Sequence, residues 1–353
     1  MRLFFVSIIT LLAMAFSSAN AQSDRSFESS TIGDLALIYQ GGAHRIDWTE
    51  DEIMPYVTHR FTDGSEKWLF DGFLFLEFKD GKGRQFSPGY DKQNATRDDW
   101  QWYINRLFEP GKSLHALDQA ISSAKKRIGN PGFRHKVVLT IMVPIPGQTD
   151  WGAVDGDSLD FSGRADQLKA IEWFVRQLTE RFAQAKFKNL DLDGMYWIDE
   201  DMKATEDLTA SVSPMLHERG LRFYWIPYFK SYGHERWKEL GFDMAYHQPN
   251  HFFHTNIPDS RLDEAIDIAQ ANGMAMEFEC DERAKESYPG ATPERMIAYM
   301  DAFERRGVFN MNFPIAYYTG NHLLLDMTQE PSEADRKLID RFARLVSSRR
   351  AAR

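Results

Sequence analysis

Short apolar runs alternate with stretches of helical periodicity along most of this chain. The runs are Leu35–Gly42, Trp68–Phe78, Lys136–Pro146, Leu190–Ile198, Leu221–Phe229, Phe242–Gln248, Met274–Cys280 and Val308–Phe313. Most are apolar on both faces, the pattern of parallel strands covered by helices. Helical patterns lie between them, at Asp98–Phe108, Ser113–Ile128, Ala165–Ala185, Glu206–Arg219, His234–Leu240, Ser260–Ala271, Thr292–Arg306 and Ser332–Ser348. In the third of these, Leu168, Ile171, Phe174, Val175, Leu178 and Phe182 share one face. Gly220, Gly241, Gly273 and Gly307 supply stops; Thr292-Pro293 and Ser332 supply starts. The connection through Trp48–Val57 carries the weakest pattern. Eight strands alternating with helices predict an α/β fold, a single-domain (β/α)8 TIM barrel over residues 34–350. An open doubly wound sheet is the alternative, but no glycine-rich phosphate loop follows any strand.

The N-terminus changes the picture of where the barrel works. Arg2, the apolar Leu3–Phe16 and the small-residue site Ala19-Asn20-Ala21 form a secretory signal pattern. Residues 1–21 are therefore expected to be cleaved and residues 22–33 to be a polar leader. No Cys lies near the cleavage site to carry a lipid anchor, so a periplasmic or secreted protein is expected. About 330 residues remain, enough for one large domain. No later segment has eighteen consecutive apolar residues, so no membrane partner is expected after signal removal. The formal charge is −10, and one unit more negative without Arg2. An acidic chain of this kind argues against nucleic acid and anionic membranes as partners. Cys280 is the only cysteine, so no internal disulfide can form and stability rests on core burial.

Acids gather where the strands end. The fourth run, LDLDGMYWI, leads into Asp199, Glu200 and Asp201. Alternation puts Gly194, Tyr196, Ile198 and Glu200 on one face. In the seventh, Met274, Met276, Phe278 and Cys280 share one face, and Ala275, Glu277, Glu279 and Asp281 the other. The apolar face should meet the helices and the acids the barrel interior. Strand carboxyl ends carry the chemistry of such barrels. Two carboxyls there are what glycoside hydrolysis needs: a general acid, and a nucleophile or base. Glu200 is the candidate acid and Glu279 the candidate nucleophile or base, with Glu277 competing for the second place. Retention is the expected route and inversion stays open. Strand-end acids also bind backbone amides or arginines, which is the structural alternative for all three. Tyr196, Trp197, Trp225, Tyr228, Gln248, Asn250, Glu277, Glu77 and Tyr39 are candidate substrate-binding residues, with Asp71, Tyr317 and Tyr318 also near strand ends. Gln248 and Asn250 could instead be loop caps, and Glu77 half of a buried ion pair. Aromatics make up 14% of the chain, including nine Trp; such rings serve as sugar-stacking platforms or simply as core.

No metal or cofactor is expected. His247, His251 and His254 match no zinc spacing and surround Pro249. Asp191-Leu192-Asp193-Gly194 lacks the later acids of a calcium loop. Chitinase-type barrels carry Asp-Gly-x-Asp-x-Asp-x-Glu on strand four. Asp193, Gly194 and Glu200 fit it, but Tyr196 and Ile198 replace the two intervening acids, which argues against ordinary chitinase chemistry.

FDGFLFLEF (Phe70–Phe78), GMYWIDE (Gly194–Glu200), WIPYF (Trp225–Phe229), GFDMAYHQPNHFF (Gly241–Phe253) and MEFECD (Met276–Asp281) occur in order. With them the chain resembles the domain-of-unknown-function family 4855 of bacterial exported proteins, from about Leu35 to Gly320. The resemblance implies a barrel similar to sugar-cleaving enzymes, with Glu200, Glu279, Gln248 and Asn250 in the strong motifs. It attaches no activity. The strand-four and strand-seven pairing also looks like that of retaining glycosidases of clan A, an analogy of fold. The expectation is an exported glycoside hydrolase acting on an oligo- or polysaccharide. The alternatives are a non-catalytic glycan-binding protein on a degenerate barrel and a metal-dependent esterase or deacetylase.

Overall fold

The computed structural model describes residues 32–310 and 313–349. The expected signal peptide, residues 1–21, and all of the leader but Ile32 and Gly33 lie outside the described residues. Those two residues already belong to the barrel: Ile32 is buried, and the Gly33 amide donates to Asp71.

Eight parallel strands close into a barrel. They are β1 (Asp34–Tyr39), β2 (Gly72–Leu76), β3 (His135–Ile141), β4 (Leu190–Trp197), β5 (Arg222–Trp225), β6 (Met244–His247), β7 (Ala275–Cys280) and β8 (Ile315–Thr319). Each pairs with its neighbours in sequence order, and β1 closes the ring against β8. The surrounding helices are α1 (Glu50–Val57), α2 (Arg97–Leu107), α3 (Ser113–Ile128), α4 (Arg164–Ala185), α5 (Glu206–His217), α6 (Ser260–Asn272), α7 (Pro293–Arg305), α8 (Leu323–Asp326) and α9 (Glu333–Ser348). Among the described residues no helix is long and apolar enough to cross a membrane.

Local chemistry explains most boundaries. The weakly patterned first connection is a helix, α1, begun by a capping box between Thr49 and Glu52. Ser332 caps α9 in the same way with Asp335. The patterned stretch His234–Leu240 holds only a three-residue 3-10 turn, His234–Arg236, so β5 and β6 are joined without an α-helix. Trp68 leaves the barrel and pairs with Thr58 in a small hairpin, so β2 begins four residues later, at Gly72.

The eighth strand differs from the expectation: it is not Val308–Phe313 but Ile315–Thr319. After α7 the chain turns at Gly307 with φ +71, and the Val308 amide returns to the Phe303 carbonyl. Val308 is buried and Phe309 packs on Phe303 and Phe278. That is the hydrophobic contact that follows a glycine-ended helix, and it imitates a strand in composition.

Gly194 is fixed by contact. A Cβ there would lie 2.3 Å from the Arg222 carbonyl oxygen and 2.7 Å from the Tyr224 ring. This is where β4 slips register against β3, between Leu192 and Gly194, so only glycine lets β5 close against β4. At the amino ends of the strands, buried polar groups knit the barrel. Arg349, beyond α9, donates to Asp34 at 2.7 Å and to the carbonyls of Gly33, Val308, Asn310 and Phe313. Asp71 accepts from the amides of Gly33 and Asp34, which places it far from the strand carboxyl ends. Asp193 holds Arg222 and the Tyr224 hydroxyl, and Asp191 pairs with Arg134 and Lys136. The Asp191–Gly194 segment is thus strand and not a cation loop.

Candidate active site

The residues that follow the strands surround a cavity of about 350 Å³, at the small end of the range for small-molecule sites. Glu200, just beyond β4, and Glu277 and Glu279 of β7 line it together. Tyr39 from β1, Glu77 and Phe78 after β2, Gln248 and Asn250 after β6, and Tyr318 of β8 complete most of its wall. The seventh strand divides as alternation predicts. Phe278 packs into the helix layer against Tyr299, Phe303 and Phe342, so its neighbours Glu277 and Glu279 face the interior.

Glu279 is held as an anion would be. Its Oε2 accepts from the Tyr299 hydroxyl at 2.5 Å, and the backbone amides of Asn250 and His251 also donate to it. Two successive amides can reach one carboxylate because Asn250 sits in the left-handed region, φ +48, forming an anion-binding nest. Asparagine tolerates that conformation better than most residues. Burial outweighs these three donors and pushes Glu279 up to about 7. Glu200 keeps part of its surface open to the cavity, with protein on its other sides. Desolvation pushes it up to about 8; a hydrogen bond from Gln248 opposes this, and the charges of Glu279 and Asp199 add to it. Glu277 is also held well above the usual carboxylate range, by burial and then by Glu279 and Glu200. Asp199 is raised to about 6 by burial, against a hydrogen bond from Thr205.

Gln248 and Asn250 line the cavity, but their polar groups serve the protein. Gln248 Nε2 donates to the Ile226 carbonyl at 2.9 Å, and its Oε1 accepts from Asn250 Nδ2 at 3.0 Å. Asn250 Oδ1 accepts the Phe229 amide. The pair braces Glu200 and Glu279 from one loop. Glu77 is half of a buried ion pair, accepting from Arg45 Nε at 2.6 Å and Nη2 at 3.2 Å. Gly42 lets the Arg45 loop lie this close, since a Cβ there would meet Glu77 Oε2 at 2.6 Å.

The expected tryptophan platform is absent from the cavity wall. Trp197 points outward from β4, against Phe223 and Thr205. Trp225 stacks on Phe242 and donates to the Asp199 carbonyl. Both are completely buried, because large rings fill the strand–helix layer. Tyr228 is exposed, with its hydroxyl on Asp201 at 2.6 Å, and does not line the cavity. Tyr196 faces inward under the carboxyls, its neighbours being Glu200, Tyr90 and Glu277. Tyr317 is turned to Asp34. The cavity's own rings are Tyr39, Phe78, Tyr90, Phe253 and Tyr318. Phe78 and Tyr90 stack at 4.1 Å, Tyr39 and Tyr318 meet edge-on at 5.6 Å, and Arg45 lies 4.5 Å over Tyr39. Arg45, Lys79 and Tyr90 come from loops with no strand pattern, and Phe253 from the loop after β6. The signal that could have found Phe78 and Lys79 is position alone, immediately past β2.

The histidines do not converge. His247 is buried and neutral, stacked on His234 and pushed down to about 3 by burial. His251 bonds Asp259 at 2.8 Å, and His254 is exposed. Glu282, His322 and Asp326 do cluster, but Glu282 already accepts the Asn321 and His322 amides, and His322 Nδ1 bonds Asp326.

The profile of the family described as "Domain of unknown function (DUF4855)" matches residues 34–344. No curated protein matches the chain. Among solved structures, a protein of Bacteroides thetaiotaomicron VPI-5482, provisionally named an alpha-L-fucosidase, is 13% identical. It covers 89% of this chain and 94% of its own, with a TM-score of 0.46. The homocysteine methyltransferase MmuM of Escherichia coli is 8% identical over 90% of this chain and 98% of its own, TM-score 0.41. A chitinase of Ipomoea carnea is 13% identical over 86% and 98%, TM-score 0.40. Likenesses this distant, spread over different chemistries, assign no activity.

Proposed function

We propose that this chain, which belongs to the family described as domain of unknown function DUF4855, is a glycoside hydrolase. The reading is carried by one observation: two carboxyls from β4 and β7 line a single cavity, and their surroundings suit them to different tasks. Glu200, pushed up to about 8 with one opposing hydrogen bond, is suited to carry a proton. Glu279, with three donors on its carboxylate, is suited to carry negative charge.

In the retaining route Glu200 gives its proton to the glycosidic oxygen as that bond breaks, and Glu279 attacks the anomeric carbon. Water then displaces Glu279 from the sugar while Glu200 takes back a proton, restoring both carboxyls. The amides of Asn250 and His251 and the Tyr299 hydroxyl would receive the charge that Glu279 regains on leaving. In an inverting route Glu279 would direct water to the anomeric carbon instead. Tyr39, Phe78, Tyr90 and Tyr318 offer ring faces and hydroxyls to the sugar, while Trp197 and Trp225 act only through packing. Residues 1–21 support export, which would place the enzyme in the periplasm or medium; a mature chain that starts at Gln22 by mass spectrometry is the expected result.

The test is release of reducing sugar from a broad panel of plant, microbial and host glycans, with wild type beside Glu200→Gln and Glu279→Gln, each checked by thermal melt. Cleavage by wild type that is lost in both folded variants is expected, and NMR of the first-formed anomer reports retention or inversion. Cleavage that survives in Glu200→Gln would sink the assignment. Tight glycan binding with no turnover would replace it with a binding role.

A further inference from the structure

Glu277 lies two residues before Glu279 on the same face of β7, deeper in the barrel. It is 3% exposed, and what surface it has belongs to the cavity wall. Among the described residues no group hydrogen-bonds its carboxyl. The Tyr196 hydroxyl also lacks a partner among them, but it is fully buried and does not line the cavity. A buried acceptor left unpaired is unfavourable. The neighbouring carboxyl, Glu279, is satisfied three times over. The fold that invests so heavily in one acid leaves the next one open to whatever enters the cavity.

The charges on the wall narrow what that is. Glu77, Glu200, Glu277 and Glu279 are the acids, and Arg45 and Lys79 are the bases. Arg45 is committed to Glu77 by two hydrogen bonds. Glu200, Glu277 and Glu279 act on one another without a cation among them. A carboxylate-bearing sugar would add to this repulsion. A neutral sugar would leave it in place. An ammonium group brings a positive charge and three donors, and the open acceptor on the wall is the Glu277 carboxyl.

We propose that the sugar seated against Glu200 and Glu279 carries a free amine, and that Glu277 receives its ammonium. The substrate class is then a hexosamine-containing glycan, not N-acetylated at that unit. This rests on the reading of the cavity as a sugar site. In the empty cavity, burial and the two neighbouring carboxyls hold Glu277 well above the usual carboxylate range; a bound ammonium reverses that balance and lets it ionise. Glu277 is then a specificity residue, which resolves its competition with Glu279 for the second catalytic place.

The experiment is calorimetric binding of methyl glycosides of glucosamine and galactosamine, both anomers, to wild type, Glu277→Gln and Glu277→Leu. The N-acetylated and the unsubstituted methyl glycosides run beside them. Wild type should bind at least one amine glycoside about tenfold or more tighter than both counterparts, a difference of about 1.4 kcal/mol. Glu277→Gln should abolish that preference, and Glu277→Leu should do the same if Glu277→Gln does not fold. Equal or tighter binding of the N-acetylated or unsubstituted glycosides, no binding of the amine glycosides, or a preference that survives in folded Glu277→Gln would overturn the proposal. Hydrolysis of neutral glycans with no amine preference would leave the hydrolase reading standing and remove this one. Amine-selective binding lost in Glu277→Gln, with no amine-containing glycan cleaved, would do the reverse.

Discussion

Replacing Glu200 by Gln should make the protein more stable at alkaline pH and leave it unchanged in mild acid. The folded carboxyl titrates at about 8 against an ordinary value of 4.5. Between those values the unfolded chain releases a proton that the folded chain retains, so Glu200 destabilises the fold progressively as pH rises, reaching its full effect above about 8. The whole shift corresponds to about 5 kcal/mol at 1.36 kcal/mol per pKa unit. Glu200 is partly open to the cavity, and water there screens the charge, so about 1–3 kcal/mol is the realistic figure. Gln keeps the shape and can still accept the Gln248 hydrogen bond. With an unfolding entropy of about 0.7 kcal/mol/K for a chain this long, the expected rise in Tm is about 1–4 °C at pH 9 and near zero at pH 5. Calorimetric melts of both proteins at pH 5, 7 and 9 measure it directly and need no substrate. A difference that is the same at pH 5 and pH 9, or a variant less stable at pH 9, would refute the claim that Glu200 is a desolvated acid. Glu279→Gln is the internal contrast. Its new amide must face three donors, so it should gain less or lose stability.

Once a substrate is in hand, kcat/KM should peak between about pH 7 and 8. It falls on the acid side as Glu279 loses its charge near 7 and on the basic side as Glu200 loses its proton near 8; an optimum below pH 5 would contradict the assigned roles. Tyr299→Phe removes one donor from Glu279 and should move the acid limb to higher pH, so that activity drops several-fold more at pH 6 than at pH 8. Equal loss at both would make Tyr299 merely structural. Arg349→Met takes the cation from buried Asp34 and one donor from each of four carbonyl groups in the barrel base, which should destabilise by about 3–5 kcal/mol and lower Tm by about 4–7 °C. A variant within 1 °C of wild type, roughly, would show that water takes over the role of the guanidinium.

Seven of the eight barrel strands were legible because a parallel strand between two packed layers needs apolar residues on both faces, and few other short segments do. The exception is instructive. Ile315–Thr319 contains Tyr317 and Tyr318 and follows Pro314, so its composition reads as a strand end. The apolar Val308–Phe309 pair owes its character to the turn that closes α7. Both features satisfy the same demand, burial against Phe278 and its neighbours, by different backbone routes. Composition registers the burial and is blind to the route.

The same limit explains which site residues could be read in advance. Within a strand, alternation carries real information: it put Glu277 and Glu279 on the face opposite Phe278, toward the interior. The same rule sets Trp197 opposite Tyr196, against its reading as a sugar contact, and the ring lies in the strand–helix layer. Past the last paired residue that phase is lost. Asn250 matters through its left-handed backbone, which aims two amides at Glu279, and no polarity pattern encodes a dihedral angle. Gln248 and Asn250 therefore stood out as polar groups at the right place, while the partner they serve was the protein's own carboxyls. Trp225 shows the converse. Its ring is core, yet its Nε1 holds the carbonyl of Asp199, one residue before Glu200. A loop anchored by a buried indole ties the position of Glu200 to the packing of the strand–helix layer. On the proposed reading of Glu200 as the acid, Trp225 thus bears on its geometry without touching a sugar, through a ring that faces away from it.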